Sequence, residues 1–542
     1  AFLKSNRSLI ITTEILFFAA FSFIAFIRAA NPEILGTEKP MELMMINGIM
    51  NSPTFPPRDL WLSGYSISYY YFGYVMTSML AIFTGTPATA AFNLMIALIF
   101  ALSAVGAYGI LYNLLSQTLD HRPQTVENKT VHRPPFIVAS LLAPLFLLLI
   151  SNVEGFLEIL HQRGLFWVSG NNFWTWLGIP ELRDAPTQPL GWIPDRYWWW
   201  WRASRVIMDY DLQNNPTGDV FILGDLHPHI LAMPFVLLAV AVALNLFLGG
   251  FKGRTDFYVA RLNISKTGFF VIALLIGGLA FLNTWDILTT CALILFAYAL
   301  ARVRESGWGW ERLEDFFLLG IPMLVVAYVM YLPFFIGFDS QAGGILPSFM
   351  YPTRGAQLWV MWGALFIPLF AFLLYRRVNG SANWRVGMKA SFGIVFILFL
   401  AMFTVGTVAW FARPDLIDPW IASQAGGASG FVAASMMRRL AHIGSLVTLL
   451  ALLIPTLSYL LTNEHAEDIA PVEERQPSHT FALLLMFLGL LLILGPEFVY
   501  LRDNFGYRIN TIFKFYFQAW MVLSLAAAYG TMTWTSADVS PV

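Results

Sequence analysis

RAANPEILGTEKPMELMMINGIMNSPTFPPRDLWLSGYSISYYYFGY, residues Arg28 to Tyr74, follows directly on an apolar run from Leu9 to Ile27. It reads as the first polar segment after a membrane span. It carries Arg28, Glu33, Glu38, Lys39, Glu42, Arg58 and Asp59 in a chain that is only 12 % charged. The run SYYYFG, Ser68 to Gly73, then returns it to apolar sequence. Ionisable groups held against lipid are costly unless they serve a function or find a partner, so this stretch is a surface on which chemistry can take place.

The rest of the chain reads as a frame around it. Of 542 residues, 57 % are hydrophobic, 47 are Phe and 19 are Trp, and the mean hydropathy is +0.63. A soluble core has no room for so much apolar surface, whereas repeated runs of about 20 apolar residues suit a bilayer. The fold class expected is an all-α polytopic membrane protein, organised as one membrane domain over residues 1–542. A net charge of −1 gives no field for nucleic acid. A single cysteine, Cys291, excludes internal disulfides. Lys4 and Arg7 precede the first run with no small-residue cleavage pattern, so that run reads as a retained helix, and the absence of an initial Met reads as a trimmed start.

Runs long enough to span fall at roughly 9–27, 88–115, 135–152, 230–249, 267–284, 287–302, 316–336, 357–375, 389–411, 439–462, 479–495 and 512–534, about twelve helices. The run Tyr69 to Phe83 is apolar but short, and ends at the Gly85-Thr86-Pro87 turn. Its length suggests a re-entrant or interfacial helix. If 69–83 does not cross, the basic connections fall on one side: Lys4 and Arg7, 121–133, 252–266, Arg302 to Arg312, and Arg376 to Lys389. If it crosses, that rule fails for every later loop. The expected topology therefore has both termini in the cytoplasm and 69–83 on the outer face of the cell membrane. Arg438 and Arg439, which would then start a span from outside, are expected to pair with a carboxylate or a phosphate.

The outer loops are then 28–87, the Trp- and Pro-rich 153–229, a tight turn near 284–287, 337–356, 412–438 and 496–511. The 153–229 loop is too rich in Trp to be disordered and reads as short helices, its tryptophans 198–201 as an interfacial belt. Segment 463–478 reads as an acidic, solvated cytoplasmic linker.

Nearly every unusual polar cluster then faces outward. Glu38, Lys39 and Asp59 lie in the first loop, and Asp225, His227 and His229 end the second. Asn283 to Asp286 occupy the tight turn; Glu497, Arg502, Asp503, Arg508, Asn510 and Lys514 fill the last loop and the start of the final helix. Carboxylates can deprotonate an acceptor hydroxyl while Arg or Lys holds a phosphate leaving group. Each cluster also has a plain reading. Glu38-Lys39 is also an ordinary loop ion pair. Asp225, His227 and His229, if extended as Pro228 favours, share one face and resemble ligands for a divalent metal ion; a helix cap by Asp225 is the competing reading. Snorkelling explains Arg508 and Lys514 as well as phosphate binding does, and Glu14 lies inside the first run with no evident partner.

GTEKPMEL, FPPRDLW, SYYYFG, WWRASRVI, GDLHPH, LNTWD and RINTIFKFYFQAW, in that order from Gly36 to Trp520, resemble the YYY family of bacterial and archaeal multi-pass membrane proteins, whose domain has no assigned function. Where that family carries Glu-Phe-Pro ahead of GDLHPH, this chain reads NNPTGDVFI. The layout is more distantly similar to the GT-C glycosyltransferases, which use polyprenyl-phosphate sugars at the outer membrane face. That resemblance implies Glu38 as base and 69–83 as the juxtamembrane helix, and Asp59 is expected beside them as a second acid or an acceptor-orienting group. With it, Lys39, Arg508, Lys514, Tyr70 and Tyr71 are expected to bind the donor and its phosphate. The function implied is transfer of a sugar from polyprenyl phosphate to an acceptor. A transporter or lipid flippase, and a membrane metallohydrolase built on Asp225, His227 and His229, are the alternatives.

Overall fold

The computed structural model describes residues 2–120, 134–207, 219–257, 260–340, 342–379, 382–462, 476–504 and 507–535. The basic segment 121–133 and residues 463–475 of the acidic linker lie outside the described residues. Among the described residues nine helices are long and apolar enough to cross a membrane, up to eleven if each of two bent pairs counts as one span. The expected run 267–284 forms the helix Lys266–Leu282, whose 17 residues are short for a crossing. The chain packs as two compact units. One comprises Ala1–Leu149, Val220–Ser340 and Asn463–Leu484; the other comprises Ile150–Asp219, Gln341–Thr462 and Leu485–Val542.

In the first unit the helix Arg7–Ala30 runs beside Ala88–Asp120. Arg28 Nε donates to Asn93 Oδ1 at 2.8 Å, and Asn93 Nδ2 donates to the Pro32 carbonyl at 3.2 Å. The first span therefore ends where the next begins, and everything between them leaves and returns at one end. That intervening chain holds two short helices, Lys39–Asn51 and Phe72–Thr84. The second has 13 residues and stops at Gly85, whose φ of 66° closes the helix in the left-handed region. The run 69–83 thus forms a helix that is short for a crossing.

The opposite end of this unit carries cations. Arg304 donates to the Phe247 carbonyl at 3.1 Å, and Arg312 donates to the Arg302 carbonyl at 2.8 Å and pairs with Asp315 at 3.2 Å. Ser478 donates to the Leu114 carbonyl there, at 2.7 Å. Glu14 lies exposed on the first helix, only 11 % of whose apolar window is buried.

Phe72–Thr84 packs on Pro228–Phe247 through Gly73. A Cβ at Gly73 would stand 2.5 Å from Leu231 Cδ1, so only glycine allows this approach. Gly73→Ala is expected to destabilise the fold by about 1–3 kcal/mol, the usual range for overpacking, read as a lower unfolding temperature in detergent.

In the second unit the 153–229 loop supplies short helices, as its tryptophans suggested: Glu154–Gln162, Phe173–Leu177 and the 3₁₀ turn Trp199–Arg205. Buried Glu158 pairs with Arg196, which reaches Glu181 at 3.0 Å and so pins the loop. The long helices are Gly355–Asn379, Trp384–Ala412, Gly444–Leu460 and Ile509–Thr535. The last of these is the axis of the unit, with 94 % of its apolar window buried. Its Tyr516 and Trp520 pack on Trp362 with ring centres 5.1 and 5.5 Å apart. At one end of these helices Ile345–Pro347 pairs antiparallel with Val499–Leu501.

A candidate active site in the first unit

Around the end of the first span the structure gathers residues from separate parts of the chain. Glu38 is the residue before Lys39–Asn51, and the helical period places Glu42 one turn further along. The segment Gly224 to His229 crosses beside them. Gly224 makes the crossing possible: its φ is 76°, and a Cβ there would stand 2.4 Å from the Arg28 guanidinium. Pro228 takes an early helical position and His227 is the residue before the helix Pro228–Phe247. The sequence Asp225-Leu-His227-Pro-His229 is thus not one extended strand. Because the helix starts at Pro228, His229 is already inside it.

The two histidines meet edge on, Nδ1 to Nδ1 at 2.6 Å, so one ring donates and the other accepts. His227 Nε2 faces Glu38 Oε2 at 2.9 Å, and the Tyr69 hydroxyl stands 3.4 Å from the same nitrogen. The result is a chain of groups able to pass a proton, from Glu38 through His227 to His229. Asp225 is not a helix cap; its Oδ1 accepts from the Thr37 hydroxyl at 2.5 Å. Glu42 is fully buried, with Oε2 accepting from the Leu226 amide at 2.7 Å.

This packing separates the acids electrostatically. Burial raises Glu42 well above the ordinary carboxyl range, and the like charges of Asp225 and Glu38 raise it further. Burial also pushes Asp225 up to about 6, with Glu38 adding to the rise and Thr37, Lys39 and Arg28 opposing it. Lys39, buried beside Asp225, is lowered by desolvation and by Arg28. Burial, then Glu38 and Glu42, raise the Tyr69 hydroxyl. The side chain of Glu38 remains 53 % exposed. A buried acid that holds its proton beside an open carboxylate is a common acid–base arrangement.

The rise of Asp225 has a definite sign. An unfolded Asp titrates near 3.8 and the folded one near 6, so between those values the folded chain binds more protons and loses stability as pH rises. Glu42 adds in the same direction. The unfolding temperature is expected to fall as pH rises from about 4 to about 7, and Asp225→Asn to flatten that fall, as read by differential scanning fluorimetry.

Other expected residues are placed differently. Asp59 Oδ1 accepts from the amides of Trp61 and Leu62 at 2.8 and 2.9 Å, so its carboxylate caps its own turn. Tyr71 is buried with its ring 4.7 Å from Phe281, a packing role. Tyr70 lies 5.2 Å from Phe338 and its hydroxyl meets Thr284 and Trp285. Arg508 and Lys514 belong to the second unit. Arg508 is fully buried against Glu497 at 2.9 Å and donates to Thr353 Oγ1 at 3.2 Å; Lys514 is buried over the Phe513 ring. The sequence alone assigns no role to Arg28, Thr37, Glu42 or Tyr69. Glu42 carried the one readable signal, four residues after Glu38 on the same helical face.

The Nδ1 atoms of His227 and His229 are engaged with each other and Asp225 with Thr37. Among the described residues no three His, Cys, Asp or Glu side chains are grouped to hold one.

Residues 2–523 match the family described as uncharacterized membrane protein, DUF2298. The chain belongs to that family. The match covers nearly the whole sequence, so both units and the cluster around Glu38 fall within DUF2298. Neither a curated protein nor a solved structure matches the chain.

Proposed function

We propose that this protein is a GT-C-like membrane transferase that moves a sugar from a polyprenyl-phosphate donor to an acceptor at the outer face of the cell membrane. The observation that carries the reading is the contact of Glu38 Oε2 with His227 Nε2 at 2.9 Å, beside a buried acid and two cations. Glu38 takes the proton of an acceptor hydroxyl as that oxygen bonds to the anomeric carbon. The bond from that carbon to the phosphate oxygen breaks, and polyprenyl phosphate leaves with the electron pair. The anomeric centre inverts. His227 and His229 hold Glu38 in position and carry its proton onward. Lys39 and Arg28 sit where a leaving phosphate gains most from positive charge, and Arg508, already held by Glu497, is given no part in it.

The twelve-span count and the cytoplasmic termini belong to this reading. Their support is the return of the chain between Arg28 and Asn93, together with the cations at the opposite end of the first unit. A transporter is supported less, because the clustered charges of this unit lie at helix ends rather than along a path at mid-depth.

The test is native mass spectrometry of gently purified protein. A bound polyprenyl phosphate, or its glycosylated form, is expected on the wild type and on Glu38→Gln alike, since the carboxylate acts on the acceptor. Its absence from both would overturn the donor assignment.

A further inference from the structure

We infer that Thr37, tied to Asp225, is a positioning residue for Glu38: the tie fixes the turn that aims the Glu38 carboxylate at His227. Gly36 and Thr37 have φ of 72° and 49°, so two successive residues reverse the chain just ahead of Lys39–Asn51. Glycine takes that backbone freely. A β-branched threonine does so only at a cost, and needs a compensating contact. Packing is not that contact, because Thr37 is exposed. Its hydroxyl is: Oγ1 stands 2.5 Å from Asp225 Oδ1 and 2.8 Å from the Gly36 carbonyl. A hydroxyl keeps the tie in either state of its partner. Ionised Asp225 accepts from Thr37; protonated Asp225 donates to it, and the Thr37 hydroxyl then turns to the Gly36 carbonyl. Valine and glycine offer neither bond.

Two contacts then join the same two segments in register. Thr37 meets Asp225, and the next residue, Glu38, meets His227 two positions further on, Oε2 to Nε2 at 2.9 Å. Glu38 makes no side-chain bond to the start of its own helix. Its side chain is 53 % exposed, so packing does little to hold it. Its direction is set by the backbone from which it projects. The other end of this stretch is already fastened, with Arg28 Nη2 donating to the Glu33 carbonyl at 3.2 Å. Without the Thr37 tie the turn between Glu33 and Glu38 is loosened, and the carboxylate with it.

A loop bond that serves stability alone has a different consequence: its loss lowers activity only as far as it lowers stability. Thr37→Gly separates the two, because it removes the bond and the backbone cost together. The effect on rate rests on the transferase reading. The effect on order around Glu38 does not.

The experiment compares full-length wild type in nanodiscs with Thr37→Gly, Thr37→Val and Thr37→Ser. Deuterium exchange is read at the Glu42 amide, which donates to the Glu38 carbonyl at 3.1 Å, beside unfolding temperature and transfer kinetics. Thr37→Gly and Thr37→Val are expected to exchange that amide at least about tenfold faster. Both are expected to lower kcat by about 10- to 100-fold, with KM for the acceptor unchanged. Thr37→Gly is expected to do so without a fall in unfolding temperature, and covers the case in which Thr37→Val fails to fold. Thr37→Ser, which restores the hydroxyl, is expected to recover both the slow exchange and the rate. Wild-type exchange and rate in Thr37→Gly, or a Thr37→Ser protein no better than Thr37→Gly, would each overturn the assignment. If the wild type itself transfers no sugar, the transferase reading fails, and exchange in the same proteins decides the positioning role alone.

Discussion

Glu38→Gln is expected to slow sugar transfer by about 10²- to 10⁴-fold, the range that a positioned general base contributes. Glutamine keeps the shape of the side chain and still accepts a hydrogen bond from His227 Nε2, but it takes no proton. The side chain is about half exposed, so the unfolding temperature is expected to stay close to that of the wild type. His227→Gln removes the group that holds Glu38, and a smaller loss is expected there. The measurement is initial transfer rate in nanodiscs, with unfolding temperature read on the same preparations. A folded Glu38→Gln protein at full rate would remove Glu38 from the mechanism.

The largest effect on stability is expected at Arg508. Its side chain is fully buried, and it joins Glu497, Thr353 and the Pro496 carbonyl at the start of the central helix. Arg508→Ala leaves the Glu497 charge buried without its cation. Breaking one side of such a pair costs about 3–5 kcal/mol. Arg508→Met with Glu497→Leu is expected to recover part of that loss, because the buried carboxylate is removed together with its cation. Recovery stays incomplete because the Thr353 amide loses its acceptor, at about 1–3 kcal/mol. Unfolding temperatures of the three proteins in one detergent check the order: wild type above the double variant, and the double variant above Arg508→Ala.

The contrast between these residues explains what the sequence made legible. Spans are legible because a bilayer demands long apolar runs, and the short helix Phe72–Thr84 is legible because it fails that demand. Glu38 is legible because its surroundings in sequence are polar and its neighbours apolar. Partners are not. Arg508 reads as a basic start to an apolar helix, and nothing local reveals that Thr353, 155 positions away, completes its setting. Asp225 and the two histidines share one face only as a single extended strand. Pro228 favours an extended residue before it and also begins a helix, and the second effect decides where His229 points. Asp59 is the converse case, since an Asp before two free amides is a local turn signal that needs no tertiary knowledge. The three adjacent tyrosines divide by packing: Tyr69 faces His227, Tyr70 the Thr284 turn, and Tyr71 an aromatic core.

The bond between Arg28 and Asn93 makes residues 31–87 a closed excursion, anchored at both ends to neighbouring helices. The thread of the chain through the bilayer is the same whether that excursion is long or short. Closing a longer loop adds only about 0.6 kcal/mol per doubling, and the stretch around Gly64 has open space about it. In an evolutionary sense the segment is a cassette. Its middle can be lengthened, trimmed or exchanged between relatives without moving a downstream helix, provided that Glu38, Glu42 and Tyr69 still land against Asp225 and His227. Under the transferase reading, loop replacement is then the route to new acceptors while the helical scaffold stays unchanged.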